Sequence, residues 1–228
     1  MYNDNMNEIN SDGGIVKNFF TQIEEKQLRY LVEKNRKLEP GSSKYAPMIL
    51  ETMSRMQIQF DIPENILNKL LTFVQSFVSE EDQDLVLSHY QYLDYYGKYG
   101  NGNSPKLPPH LDVENYYTKI SVDYQMSSNI DWAIVVEDKK YYLKDNEVLV
   151  FEPGEQIHWR DPIILKENDR CEVIVFHFSK REDHSPYEKQ QMSKEEWSTI
   201  LDKYNNMPKM IKYREKFFDD LQKLERNG

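Results

Sequence analysis

At 228 residues the chain is long enough for one sizeable core. Its 39% hydrophobic and 30% charged content, with 16 tyrosines and 10 phenylalanines, excludes an acidic disordered chain. A formal net charge of -10 argues against a general nucleic-acid binder, whose backbone contacts need concentrated Lys and Arg. One cysteine, Cys171, excludes an intrachain disulfide and fits a reducing compartment. The polar start "MYNDNMNEINSDGG" reads as neither signal peptide nor basic transit segment. No apolar run approaches about 18 residues, so a membrane is not an expected partner and the cytoplasm is the expected location.

Residues 1 to 13, rich in Asn and Asp, read as a disordered tail, and 14 to 228 as one domain in three parts. The first part, 14 to 89, reads as helical. Apolar positions Phe19, Phe20, Ile23, Leu28, Leu31 and Val32 recur at helical spacing from Ile15 to about Arg36. "DIPENILNKLLTFVQSFV" predicts a second helix, with Asp61 as cap and Pro63 in its first turn. A capping pattern at Ser79 opens a third segment that turns aromatic and extended near Tyr90 to Tyr99.

The second part, 90 to 180, is β in character. After the loop "GNGNSPKLPP" come short strand-like runs: 116 to 124, "WAIVVED", "KKYYLK", "EVLVFEP" and "CEVIVFHF". The third part, 181 to 228, is helical again, as "SKEEWSTILDKY" and "MPKMIKYREKFFDDLQKL". The expected architecture is a mainly β core, barrel or sandwich, with flanking helices covering a sheet.

The chemistry concentrates in the β part. In "LPPHLDVENYY" His110 and Asp112 are two apart, so in an extended segment both side chains point to one face. His158 follows the tight turn of Pro153 and Gly154. A strand returning beside the first would bring it to them. Two neutral imidazole nitrogens and one carboxylate, with the opposite face open, form the facial triad of non-haem iron oxygenases. Taken alone, His-x-Asp equally describes a loop histidine beside a solvated carboxylate.

"PHLD", then "LVFEPGEQIHWRDP", then "CEVIVFHF" resembles the iron(II) and 2-oxoglutarate-dependent oxygenases over roughly residues 90 to 180. It looks most like small microbial members with a compact "HWR" segment, and more distantly like prolyl hydroxylases. The resemblance implies a double-stranded β-helix, the jelly roll shared with cupins, and Fe(II) held by His110, Asp112 and His158. It implies 2-oxoglutarate as cosubstrate, gripped by a basic residue near the start of the last core strand. Arg170 suits that role, although Glu172 stands where the family commonly has a serine. Arg160, two residues beyond His158, and Lys119 are rival anchors. Tyr95, Tyr96 or Tyr117 is expected to donate a hydrogen bond to the cosubstrate.

The implied reaction is hydroxylation of an unactivated C–H bond of a small metabolite, amino acid or peptidyl side chain, with release of succinate and carbon dioxide. Asp112 argues against a halogenase of this family, in which a small residue stands there. The competing readings are a cupin-like metalloprotein or isomerase without 2-oxoglutarate, and a binding protein assembled through its last helices. Monomer and homodimer both remain open. The other features read as packing: His177 as a strand histidine, packed or at a sheet face, and only a minor contender for third ligand, Trp132 and Trp159 as core or pocket wall, Cys171 as a buried strand residue, and His89 and His184 without signal.

Overall fold

Side chains of a strand alternate between two faces, and here each face of the main sheet has its own cover. A computed structural model describes residues 14–100, 105, 107–112, 118–181 and 194–227. In chain order these form β1 (Gly14–Lys17), α1 (Gln22–Arg36), β2 (Met48–Leu50), β3 (Arg55–Ile58), α2 (Glu64–Gln75), β4 (Leu85–Tyr96) and β5 (Thr118–Ser128). There follow β6 (Ile134–Val136), β7 (Lys139–Tyr141), β8 (Glu147–Phe151), β9 (His158–Arg160), β10 (Arg170–Lys180), α3 (Lys194–Asn205) and α4 (Pro208–Asn227). The expected tail, together with Tyr117 and His184, lies outside the described residues.

Seven antiparallel strands make the main sheet in the order β1-β8-β5-β10-β4-β3-β2, and three make a smaller sheet, β7-β6-β9. On β10 the even positions Ile174, Phe176 and Phe178 face outward, level with Ile120, Val122 and Tyr124 of β5 and with Tyr92 of β4. That layer packs against Leu28 and Val32 of α1 and Ile66, Leu70 and Val74 of α2, all buried. Each fully buried Phe or Leu there contributes about 1.5–3 kcal/mol. The odd positions face the smaller sheet across the interior. Leu93, Tyr95, Cys171 and Val173 meet Trp132 and Leu165 at one end, and Leu149 and Phe151 meet Ile134, Val136 and Tyr141 alongside. The outer face of the smaller sheet, Val135 and Trp159, is closed by Met210, Tyr213, Phe217 and Leu221 of α4.

A β core between helical covers is what the sequence leads one to expect, but the first part of the chain is less helical than its spacing implies. Residues 14–17 form an edge strand on β8, and α1 begins only after a capping box of Thr21 and Glu24. Pro63 is itself the N-cap of α2. The capping pattern at Ser79 yields a single 3-10 turn, Glu80–Asp82, and the chain is extended from Leu85. Local helix signals lost there to pairing with β10, which runs the whole length of β4.

Candidate metal centre

His110 lies against β9 as a one-residue bridge. Its amide donates to the His158 carbonyl (3.1 Å) and the His158 amide donates to the His110 carbonyl (3.0 Å). Asp112 is held in step by its amide, which donates to the Pro153 carbonyl at 2.9 Å. The returning strand thus brings one ligand atom each of His110, Asp112 and His158 within 4.8 Å of one another. The Nε2 atoms of both histidines lie 3.6 Å from the same oxygen, Oδ1 of Asp112. That is too long for hydrogen bonds, and close to the spacing of neighbouring ligands around one ion bound at about 2.0–2.2 Å.

The imidazoles are set in the tautomer a metal needs. Nδ1 of His110 is 2.8 Å from the Pro108 carbonyl and Nδ1 of His158 is 3.0 Å from that of Gln156. A carbonyl only accepts, so each Nδ1 carries the proton and each Nε2 offers a lone pair to the centre. Burial, reinforced by the neighbouring His158, lowers the His110 pKa to about 4. Burial also acts against charge on His158, but the Asp112 carboxylate outweighs it and raises that pKa. Asp112 is held well below the usual carboxylate range: burial opposes ionisation, and His158, His177 and His110 around it overcome that. The set is one firm anion and imidazoles facing it, matching the donors of a divalent-ion site.

Other interior residues surround this centre. Nε2 of His177 lies 3.7 Å from the second Asp112 oxygen, Oδ2, and His89 stands beside it with ring centroids 5.8 Å apart. Asp123 on β5 is buried, accepts from the Ser121 hydroxyl at 3.0 Å, and is pushed up to about 6 by burial, with Arg160 and His158 pulling the other way. The available signal was strand parity: positions 89, 121, 123 and 177 share a face across β4, β5 and β10.

The basic and aromatic candidates separate onto the two sides of the sheet. Arg170 lies on the helix-covered face, where its guanidinium grips Asp94 bidentately, Nε to Oδ1 at 2.8 Å and Nη2 to Oδ2 at 2.7 Å. Arg36 of α1, Tyr92, Glu172 and Ser127 complete that network, so Glu172 takes part in it with Arg170. Tyr96 is on the same outer side, under the Arg170 guanidinium (5.5 Å to its ring centre) and against Tyr99. The structure does not bring Arg170 or Tyr96 to the metal ligands. Lys119 is at the rim, 3.5 Å from Glu152 and 3.8 Å from Asp82. Arg160 points inward from the strand that bears His158 and is 4% exposed. It donates to the Trp132 carbonyl at 3.1 Å and lies over the rings of Trp132 and Tyr95. Arg55 approaches the same Tyr95 from β3, with Nη1 3.3 Å from its hydroxyl. Among the described residues no carboxylate comes within 4.0 Å of either arginine.

No family model matches the sequence, and no curated protein matches it. Solved structures do. An oxidoreductase of the 2OG-Fe(II) oxygenase family from Burkholderia pseudomallei aligns with a TM-score of 0.52 at 15% identity, over 74% of this chain and 84% of that one. A prolyl hydroxylase from Trichoplax adhaerens, in complex with a hypoxia inducible factor peptide fragment, gives 0.52 at 10% identity over 76% and 86%. HygX from Streptomyces hygroscopicus, with nickel, 2-oxoglutarate and hygromycin B bound, gives 0.50 at 11% identity over 74% and 83%. At such identities the likeness is one of fold: the chain has the double-stranded β-helix architecture of these oxygenases.

Proposed function

We propose that the protein is an Fe(II)- and 2-oxoglutarate-dependent oxygenase, residues 14–228 forming a single catalytic domain, that hydroxylates a C–H bond of a small molecule or of an amino-acid or peptidyl side chain. The observation that carries this reading is the convergence of two Nδ1-anchored histidines on one oxygen of an ionised, largely buried aspartate. His110, Asp112 and His158 would hold the iron, and the neighbour crystallised with nickel and 2-oxoglutarate supports the pairing of metal with cosubstrate on this fold. The chemistry such a centre supplies is oxidation of a C–H bond to an alcohol by dioxygen, coupled to decarboxylation of 2-oxoglutarate to succinate and carbon dioxide.

The chain's own part is to bind, orient and exclude water. Arg160 is the cosubstrate anchor: a buried guanidinium with no carboxylate within 4.0 Å among the described residues, on the ligand-bearing strand, is matched by a bidentate carboxylate. Tyr95 and Arg55 extend the same polar end of the interior. Phe151, its ring 4.8 Å from that of His158, walls the metal side against water. The neighbours' bound partners, a peptide in one and hygromycin B in another, leave the substrate class as broad as stated. No described helix is long and apolar enough to cross a membrane.

The test is an anaerobic ultraviolet-visible titration with Fe(II) and then 2-oxoglutarate. A weak visible charge-transfer band requiring both, and absent from His158→Ala, is expected. Protein that binds Fe(II) without developing the band would sink the 2-oxoglutarate reading in favour of a cupin-like metalloprotein.

A further inference from the structure

We propose that His177 is a positioning residue for the metal-binding carboxylate: it engages Oδ2 of Asp112 and so reserves Oδ1 for the ion. The inference rests on the metal-centre reading above and adds a fourth residue that is not itself a ligand.

The division of the carboxylate carries the argument. Oδ1 faces both triad imidazoles at 3.6 Å, whereas Oδ2 faces Nε2 of His177 at 3.7 Å. At that distance the contact is a charge–dipole attraction rather than a full hydrogen bond, and it acts on the oxygen the triad does not use. The proton must be on the right nitrogen for this. Nδ1 of His177 is buried and has no hydrogen-bond partner among the described residues. A proton there would be stranded, whereas on Nε2 it points at an anion. This is the reverse of His110 and His158, whose Nδ1 atoms meet backbone carbonyls and whose Nε2 atoms are lone-pair donors. Three histidines surround one aspartate, and the backbone gives two of them the ligand tautomer and leaves the third the donor tautomer.

The strand geometry is built around that third ring. The ladder between β10 and β4 slips between His177 and Phe178, leaving His89 opposite His177 and Leu87 opposite Phe178. Ser88, the residue passed over, donates its hydroxyl to the His177 carbonyl at 3.0 Å, and the buried Ser179 donates its own hydroxyl to that of Ser88 at 2.9 Å. A bulge of this kind re-aims a side chain. Here it is pinned from two sides, with His89 edge-on against the His177 ring. A histidine kept merely to fill a core would need neither the bulge nor an orphaned nitrogen.

The test uses the full chain, with Co(II) as an oxygen-insensitive probe, in wild type, His177→Leu and His177→Gln. Affinity is measured by chelator competition, and metal-bound imidazoles are counted by pulsed electron paramagnetic resonance on a vanadyl-loaded sample. His177→Leu is expected to weaken Co(II) binding about 10- to 100-fold with the imidazole count unchanged, and His177→Gln, which returns an N–H near the Nε2 position, to recover most of it. Wild-type affinity in His177→Leu, or no recovery in His177→Gln, overturns the proposal. Loss of one bound imidazole in His177→Leu also overturns it, by making His177 a ligand. Should His177→Leu fail to fold, His177→Asn replaces it: its shorter amide does not reach Oδ2, so affinity equal to that of His177→Gln overturns the proposal. Wild-type protein that takes up no Co(II) overturns this inference together with the metal-centre reading, whereas the variant outcomes touch this inference alone.

Discussion

Strand β10 has two faces that treat buried charge in opposite ways. On the helix side, Arg170 and Arg36 meet Asp94, Glu172 and Tyr92 in a closed network, in which, among the described residues, only Nε of Arg36 lacks a partner. On the interior side, among the described residues, Arg160 has a carbonyl and two aromatic rings but no carboxylate within 4.0 Å, Nε of Arg55 has no partner, and His177 has an orphaned nitrogen. Leaving buried polar groups unmatched costs free energy. A face that tolerates several such groups beside a set of metal donors is prepared for ligands, whereas the matched face is a structural clamp joining α1 to the sheet.

Exchanging the two arginines for methionine breaks the comparison most directly, since each variant should lose what the other keeps. Arg160→Met is expected to weaken 2-oxoglutarate binding by roughly 10- to 100-fold, the loss of a charged hydrogen-bond pair of about 1.5–3 kcal/mol, with little change in melting temperature. Arg170→Met leaves Asp94, which is fully buried, with a contact to Arg36 at 3.4 Å and one to Tyr99 at 3.2 Å. Its expected cost is about 3 kcal/mol of stability, or roughly 10 °C in melting temperature for a chain of this size, with cosubstrate affinity intact. Isothermal titration and thermal melts on the same samples decide it. A 2-oxoglutarate defect confined to Arg170→Met would invert the assignment of the two faces.

The interior face should also have a pH signature of its own. Asp123 is raised to about 6 by burial, so its charged form is disfavoured in the fold relative to the unfolded chain. Its contribution to stability is therefore present below the unfolded carboxylate pKa and is lost as pH rises through about 6. The loss is up to roughly 3 kcal/mol between pH 4 and 7. In metal-free protein, Asp123→Asn should be more stable than wild type at pH 7 and level with it near pH 4, as read from urea midpoints. The same substitution removes a negative charge competing for Arg160 and should tighten 2-oxoglutarate binding. A stability difference that does not change with pH would show Asp123 to be compensated in the fold.

The difference between the faces also explains how much the sequence could disclose. The metal triad was legible because His110 and Asp112 share a face by local spacing alone, and one returning strand supplies His158. The β core was legible from its short alternating runs. The anchor was not. Arg170 stands at a plausible place in the chain, but its face is fixed by the β10 register, and its partner Asp94 is brought by β4 from far away in sequence. His89 carried no signal and His177 ranked only as a minor contender for third ligand, because alternation does not say which side of a strand is the interior. β2 and β3, at three and four residues, are too short to carry a periodic signal. Just before β4 the serine and acidic residues at 79 to 82 imitate a helix start that long-range pairing overrides from Leu85 onward.

The smallest effect expected concerns the outer cover of the small sheet, where α4 reaches the backbone of both metal-bearing segments. Nε of Arg214 donates to the Pro109 carbonyl at 3.0 Å, next to His110. Lys209 pairs with Glu137, whose Oε1 accepts from the Ile157 amide at 2.9 Å, next to His158. Neither contact touches the ligand atoms, and each narrows where the two imidazoles can sit. Arg214→Met should therefore weaken Co(II) binding by about 5-fold, the equivalent of one hydrogen bond of about 1 kcal/mol, and leave the ratio of 2-oxoglutarate affinities with and without metal unchanged. Lys223→Ala, on the same helix but paired with the neighbouring Asp220 at the surface, should change neither by a measurable amount. If both variants lose metal equally, α4 acts through the general stability of the fold, and the backbone contacts at Pro109 and Ile157 do not position the site.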